Sequence, residues 1–409
     1  MNKKEKLVLA YSGGLDTSFC LKYLTDEKNF EVHTVLVNTG GFSIQELNSI
    51  AARAKDLGAQ SHTTLNVENE YYNKCIKYLI FGNILKNGTY PLSVSSERTI
   101  QATAAIEFAK EIGATHIAHG STGAGNDQIR FDFIFNALAP EIKIVTPIRD
   151  LSLSRDEEIT YLKKHGVDLD FRKMAYSINK GLWGTSIGGK ETLTSSNPLP
   201  DKAYPSQPTK DGSEKITLGF INGELNQVND QVFENPIAAI REVESIASSY
   251  AIGRDIHVGD TIIGIKGRVG FEAGAPILII KAHHALEKHV LSKWQLYWKE
   301  QLANWYGMLL HEAQYLEPVM RDIEKFIDST QNHVTGKVFI KLSPYRYSIE
   351  GIESVYDLMC SDFGDYGEAN KKWTGDDVKG FTKILGMSSS IYNHVSQKAR
   401  EGSNFNQMV

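Results

Sequence analysis

Cysteine is scarce in this 409-residue chain: Cys20, Cys75 and Cys360 lie far apart and form no Cys-x-x-Cys pair. That spacing excludes a disulfide framework and a zinc knuckle and points to a reducing compartment, the cytoplasm. Excess positive charge is missing too, because 44 Lys and Arg face 49 Asp and Glu for a formal net charge of -5. Nucleic acid is therefore not an expected partner. No apolar run approaches the length that spans a bilayer, and the short one after the basic N-terminus is too brief for a signal peptide. No membrane association is expected. Internal repeats and low-complexity tracts are also lacking. What remains is 41% hydrophobic and 23% charged, the composition of an ordinary globular protein, with length enough for two domains that each bury a core.

The most informative stretch is KLVLAYSGGLDTSFCLKYL, residues 6 to 24. Leu7 to Ala10 reads as a buried strand and Thr17 to Leu24 as a helix, so the junction is a tight strand-to-helix turn. A connection that served folding alone would need one Gly and one cap. Here Gly13 and Gly14 are accompanied by Ser12, Asp16, Thr17 and Ser18. Two missing side chains let backbone N–H groups approach a ligand, and the helix directs its positive end at the same place. That is a phosphate site. The Gly-Lys-Ser/Thr of loops that grip β and γ phosphates is absent.

The string Ala10-Tyr11-Ser12-Gly13-Gly14-Leu15-Asp16-Thr17-Ser18 resembles the pyrophosphate loop of the N-type ATP pyrophosphatases, in the version carried by argininosuccinate synthases. The resemblance implies that these residues, with Val37 and Gly120, bind ATP, which is split to AMP and pyrophosphate with Mg²⁺ bridging phosphate oxygens. Within this loop Ser12 and Asp16, and outside it Asp127, are the candidate catalytic residues. Asp16 either holds the ion or caps the helix, and no metal-ligating set of side chains is expected.

Up to about residue 165, strands near Leu7, Val32 to Val37, His62 to Val67, His116 to Ala118 and Ile142 to Val145 alternate with helices. Capping boxes open two of these, at Ser43 to Glu46 and Ser154 to Glu157, and another is expected over Arg98 to Ile112, stopped by Gly113. The alternation predicts an α/β fold, a doubly wound and mainly parallel sheet whose ligands lie at the carboxyl ends of strands. Residues 184 to 215, rich in Gly, Ser, Thr and Pro, read as a long covering loop. A hairpin at Asn222-Gly223 and a helix opened by Asn235-Pro236 begin a mixed α+β domain. One long helix is expected over about His284 to Tyr315, where Trp294, Trp298 and Trp305 serve core or subunit packing. Another is expected over Asp376 to Ala399. The expected domains are 1–167, 168–373 and a helical arm at 374–409, which the resemblance makes part of a homotetramer.

HGSTGAGNDQIRFD, residues 119 to 132, is a second Gly-rich loop after a strand. It matches the argininosuccinate synthase loop, so Thr122, Asn126 and Asp127 are implied for aspartate, with Asn126 and Arg130 reaching citrulline. Arg130 also makes sense alone, because a guanidinium pairs bidentately with a carboxylate. His116 and His119 read as structural. Tyr90, Ser95, Ser177 and Ser186 keep the family's positions for citrulline. The chain departs from the family at two places. Ser96-Glu97-Arg98-Thr99 stands where Leu-Ala-Arg-Pro is usual, and Gly259 and Phe271 stand where a Glu and a Tyr contact citrulline. Asp260 and Glu272, one residue further on, substitute only if a bulge or gap restores their facing.

The implied reaction is ligation of citrulline to aspartate through a citrullyl-adenylate. Two other readings are an RNA-modifying adenylating enzyme, which would call for a reactive cysteine pair and a basic face, and a nucleotide-binding regulator without catalysis.

Overall fold

A computed structural model describes residues 4–167, 176–360 and 372–403. Strands β1 (Lys6–Ala10), β2 (Glu31–Asn38), β3 (Ser61–Asn66), β4 (His116–Ala118) and β5 (Lys143–Val145) form a parallel sheet of order β3-β2-β1-β4-β5. The order reverses beside β1, so the loop that leaves it opens at the switch point where such sheets bind ligands. Alternate residues of β1 feed two cores. Leu7 and Leu9 pack under helix α1 (Leu15–Asp26), while Val8 packs with Ile117, Ile134 and Phe135 on the other face.

The capping boxes form as read, at Ser43 with Glu46 and at Ser154 with Glu157, opening helices α2 (Ile44–Asp56) and, further along, Arg155–Lys164. The helix expected to start near Arg98 instead starts at Ser93 and runs to Glu111 (α3). Without a proline at residue 99 the helix can begin before it, with Ser95 and Glu97 buried and Arg98 half-buried in its first two turns. Helix α4 (Asp127–Leu138) follows the second Gly-rich loop.

Beyond the parallel sheet, β6 (Ser177–Gly181) and β7 (Gly184–Gly188) join β11 (Arg254–Asp260) and β12 (Lys266–Glu272) in a four-stranded sheet of order β11-β12-β7-β6. β7 lies inside the stretch read as loop. Its small residues are a packing requirement, since a Cβ on Gly184 would come within 2.7 Å of the Ala273 side chain and 2.9 Å of Ser93 Oγ. A five-stranded antiparallel sheet holds β8 (Glu214–Ile221), β9 (Glu224–Val228), β10 (Gln231–Val232), β13 (Gly336–Ser343) and β14 (Arg346–Glu353). The β8–β9 hairpin turns at Asn222 and Gly223, both at positive φ, as read. Asn235 caps the helix Pro236–Ser249 through a 2.9 Å bond from Ile237 N to Oδ1.

The single long helix expected over 284–315 is two, Gly274–Val290 and Lys293–His311, because Ser292 starts a new capping box. Trp294, Trp298 and Trp305 are more than half exposed, which removes them from this chain's core. Residues 1–356 form one compact unit and 357–409 another. In the second, the stretch expected as one helix breaks at Gly386 into Gly375–Leu385 and Met387–Ser403. Phe381, Ile384, Leu385, Ile391 and Val395 are exposed there. Among the described residues no helix is long and apolar enough to cross a membrane.

Candidate active site

The β1–α1 junction has the geometry that its glycines suggest. Gly13 adopts φ +73°, where a Cβ would crowd Ile50, and its carbonyl accepts from Arg53 Nη1. Gly14 is the extended N-cap of α1 and receives no side-chain cap, so the first amides of the helix are not capped by a side chain. Ser12 Oγ lies 3.3 Å from Thr17 Oγ1, placing two hydroxyls beside those amides. Gly120 packs against the same helix end: a Cβ there would meet Thr17 Cγ2 at 3.2 Å and Thr17 N at 3.3 Å. The loop after β4 thus packs closely on the β1–α1 loop, and a side chain at residue 120 would crowd that contact.

Both loops border a cavity of about 520 Å³. Ala10, Tyr11, Ser12, Gly14, Leu15, Asp16, Thr17, Val37 and Gly120 line it, with Ser177 and Asn179 of β6 on the opposite wall. Of the residues expected to bind ATP, Gly13 and Ser18 are not on its wall. Ser18 is fully buried beneath the loop, its hydroxyl without a partner. Asp16 lies against Glu158, whose carboxyl is pushed up to about 8 by burial and then by Asp16.

His116 packs on Phe30, and His119 is buried between Asp132 (2.9 Å) and the Ser121 amide (3.2 Å). Both nitrogens of His119 are used, as a structural histidine requires. No group of three or more potential metal ligands occurs among the described residues.

Two of the residues expected at citrulline, Ser95 and Arg130, meet at His311, which sequence reading missed. Ser95 Oγ and Arg130 Nη2 lie 3.2 and 3.3 Å from His311 Nδ1, and Arg130 donates twice more to the His311 carbonyl. Arg130 only donates, so Nδ1 accepts and the imidazole is neutral. Burial, then the charges of Arg130 and Lys86, hold its pKa down at about 2. Tyr90 accepts from Val94 N at 3.1 Å, stacks on His257 and meets Phe271 at a tilt. Ser177 and Ser186 share one face of the β6–β7 hairpin, since Ser186 pairs with Asn179, two residues from Ser177.

Asp127 joins this cluster to the cavity. Its Oδ2 accepts from Arg98 Nε at 2.8 Å and its Oδ1 from Arg130 Nη1 at 2.9 Å. Burial would raise this carboxyl, but the two guanidiniums outweigh it and hold the pKa below the ordinary value. Asn126 Oδ1 accepts from Ile262 N at 2.9 Å, and Thr122 is exposed in the loop.

The possible substitutes for the missing Glu and Tyr do not face the site. The β11–β12 ladder runs without a register shift from Arg254↔Glu272 to Asp260↔Lys266. Glu272 is held by Arg254 Nε at 2.9 Å, and Asp260 is an exposed partner of Lys266 at 2.6 Å.

The family model of the arginosuccinate synthase N-terminal HUP domain matches residues 6–168, and that of the arginosuccinate synthase C-terminal domain matches residues 176–392. The chain belongs to the argininosuccinate synthase family. It is 36% identical over 388 residues to the argininosuccinate synthase of Methanocaldococcus jannaschii, covering 94% of this chain and 97% of that one. It is 37% identical over 396 residues to that of Dictyoglomus thermophilum, covering 95% and 98%. With the enzyme of Xanthomonas campestris pv. campestris it shares 35% over 409 residues, covering 97% and 100%.

Proposed function

We infer that the chain ligates L-citrulline to L-aspartate at the expense of ATP, forming argininosuccinate, AMP and pyrophosphate in arginine biosynthesis. The observation that carries this is the family match along nearly the whole chain, joined to an uncapped helix end and two glycine loops around one cavity.

A urea carbon is a poor electrophile. Attack by its oxygen on the α-phosphorus of ATP makes an AMP ester, and pyrophosphate leaves toward the amides of Gly14 and the first turn of α1. The aspartate amine then attacks the activated carbon and expels AMP. The chain's contribution is positioning and charge stabilisation. Arg98 and Arg130 fix Asp127 for the aspartate site, while Tyr90, Ser95, Ser177 and Ser186 border citrulline. Mg²⁺ would neutralise phosphate charge, and Asp16, on the cavity wall at the first turn of α1, is the carboxylate that fits it. A cytoplasmic homotetramer fits the exposed tryptophans and the exposed apolar residues of the C-terminal helices.

The RNA-modifying reading gains no support from the thiols. Cys20 and Cys75 are fully buried, and burial raises both far above the reactive range.

The test is incubation with ATP and Mg²⁺, citrulline and aspartate. AMP and pyrophosphate should form in equal amounts, and ¹⁸O from the ureido group of citrulline should finish in AMP. Production of ADP, or label retained in the amino-acid product, would overturn the adenylate.

A further inference from the structure

Glu97 is a carboxylate on the cavity wall that the mechanism above does not use. It is 2% exposed, and its Oε1 has no hydrogen-bond partner. The other two carboxylates that line the cavity are occupied: Glu46 in the capping box of Ser43, and Asp16 at the phosphate loop. The opposite wall is shaped around Glu97. A Cβ on Gly181 of β6 would overlap Glu97 Oε1, so the strand admits the carboxylate only because that residue is glycine. Gly181 continues the face of β6 that carries Ser177 and Asn179, the face that Ser186 shares. A buried acid with one free oxygen therefore lies against the strand face that carries the hydroxyls assigned to citrulline.

A buried carboxylate in that position calls for a cation. Arg98 Nη1 stands 4.0 Å from Glu97 Oε2, but the hydrogen bonds of that guanidinium go to Asp127, Gln101 and Asn179, and Oε1 is left open. Of the two amino-acid substrates, aspartate must present its amine with a free lone pair to the activated carbon, so it is not the one to be held as an ammonium. Citrulline keeps its α-ammonium throughout the reaction. We propose that Glu97 is the specificity residue that receives the α-ammonium of citrulline, in place of the acid that the β11–β12 hairpin lacks.

The surroundings agree with such a receptor. Burial, opposed by Arg98 and reinforced by Asp127, pushes the Glu97 carboxyl up to about 8, with the Thr39 hydroxyl lowering it. Tyr71 and Tyr90 are the other titratable groups that feel its charge, and both are neutral phenols raised by burial. An entering ammonium thus meets a group that gives up its proton near neutral pH.

The inference rests on the ligase reading, and the experiment separates the two. Citrulline is compared with 5-ureidopentanoate, which keeps the ureido group and the carboxylate but lacks the α-amine. Wild type should prefer citrulline by at least 30-fold in kcat/KM. In Glu97→Gln the citrulline KM should rise at least 30-fold, with kcat and the KM for ATP within threefold, and the preference should collapse to below threefold. Glu97→Asp should keep most of it, which separates charge recognition from damaged packing. A Gln variant that still prefers citrulline by 30-fold, or equal losses for both ureido compounds in the Gln and Asp variants, would overturn the assignment. Wild type that releases no pyrophosphate with citrulline would instead overturn the ligase reading itself.

Discussion

Arg98 donates from Nε to Asp127 Oδ2 at 2.8 Å while its Nη2 donates to Asn179 Oδ1, also at 2.8 Å. One guanidinium therefore holds α3, the start of α4 and strand β6 in register across the cavity mouth. Replacing it would leave Asp127 with Arg130 alone and release Asn179 from its partner. A charge-assisted bond of this kind contributes about 1.5–3 kcal/mol. Arg98→Ala should accordingly raise the aspartate KM by roughly ten- to a hundredfold, with the ATP KM changed least, in steady-state assays. Equal changes in both constants would show that Asp127 does not serve aspartate.

The two glycines of the phosphate loop should fail in different ways. Gly13 is held at φ +73°, and a Cβ there would approach Ile50 Cγ1 at 2.9 Å, so Gly13→Ala should cost about 1–2 kcal/mol of stability. At Gly14 the backbone is extended, and a Cβ would meet only Ser12 Oγ at 3.5 Å. Gly14→Val should therefore melt like the wild type yet lose ATP use by more than tenfold, since its side chain enters the space that phosphate needs. A Gly14→Val variant with an unchanged ATP KM would remove the phosphate from this loop.

Glu97 also gives a signature that does not depend on turnover. Its carboxyl releases a proton near 4.5 in an unfolded chain but only near 8 in the folded one. Between those values the folded state holds the extra proton, so this residue's contribution to stability falls as pH rises from about 4.5 to 8. Gln cannot ionise. The melting temperature of Glu97→Gln should gain on the wild type by about 2 °C or more between pH 5 and pH 8, a shift that follows from even a modest change in free energy for a chain of this size. A difference that stays flat across that range would mean that the carboxyl ionises normally.

Lys299 and Glu287 form a fully buried ion pair, with Lys299 Nζ also 2.7 Å from the Phe81 carbonyl and Glu287 Oε1 accepting from Gln331 Nε2 at 2.9 Å. Removing one partner leaves the other charge buried. Lys299→Met should destabilise by about 3–5 kcal/mol in denaturant unfolding. The double variant with Glu287→Leu should recover much of that loss, and no recovery would mean that packing rather than charge sets the cost.

The loop after β1 was legible because tight backbone leaves a trace in composition: Gly13 and Gly120 each answer a local steric demand, and Gly14 stands beside them at the helix start. The parallel sheet was legible for a similar reason, as strands buried on both faces read as short apolar runs. β7 was not. Gly184 to Gly188 owes its place to close contact with Ala273 and Ser93, neighbours far away in sequence, and its small residues look like a loop. His311 and Arg98 escaped notice because their roles come from side chains that only the fold brings together. His311 ends a helix whose tryptophans drew attention instead, and Arg98 lies on a helix whose true start was placed five residues too late.

The last expectation concerns the amino-acid end of citrulline. Phe271 is 1% exposed against Tyr90, and the regular β11–β12 ladder keeps Glu272 with Arg254 on the other face, so neither the phenol nor the carboxylate of relatives is restored there. The loss of one buried polar contact costs about 1–3 kcal/mol unless another group replaces it. Tyr90, Ser95, Ser177 and Ser186 remain, and free citrulline therefore stays the substrate through a rearranged set of contacts. Acylating the α-amine removes its charge and adds bulk, so N-acetylcitrulline should be used at less than about one-tenth of the citrulline kcat/KM, the loss expected for one charged contact of about 1.4 kcal/mol. Competition between the two compounds in the AMP-release assay measures this directly. An N-acyl citrulline used as well as citrulline would show that the residues at 259 and 271 mark a changed substrate.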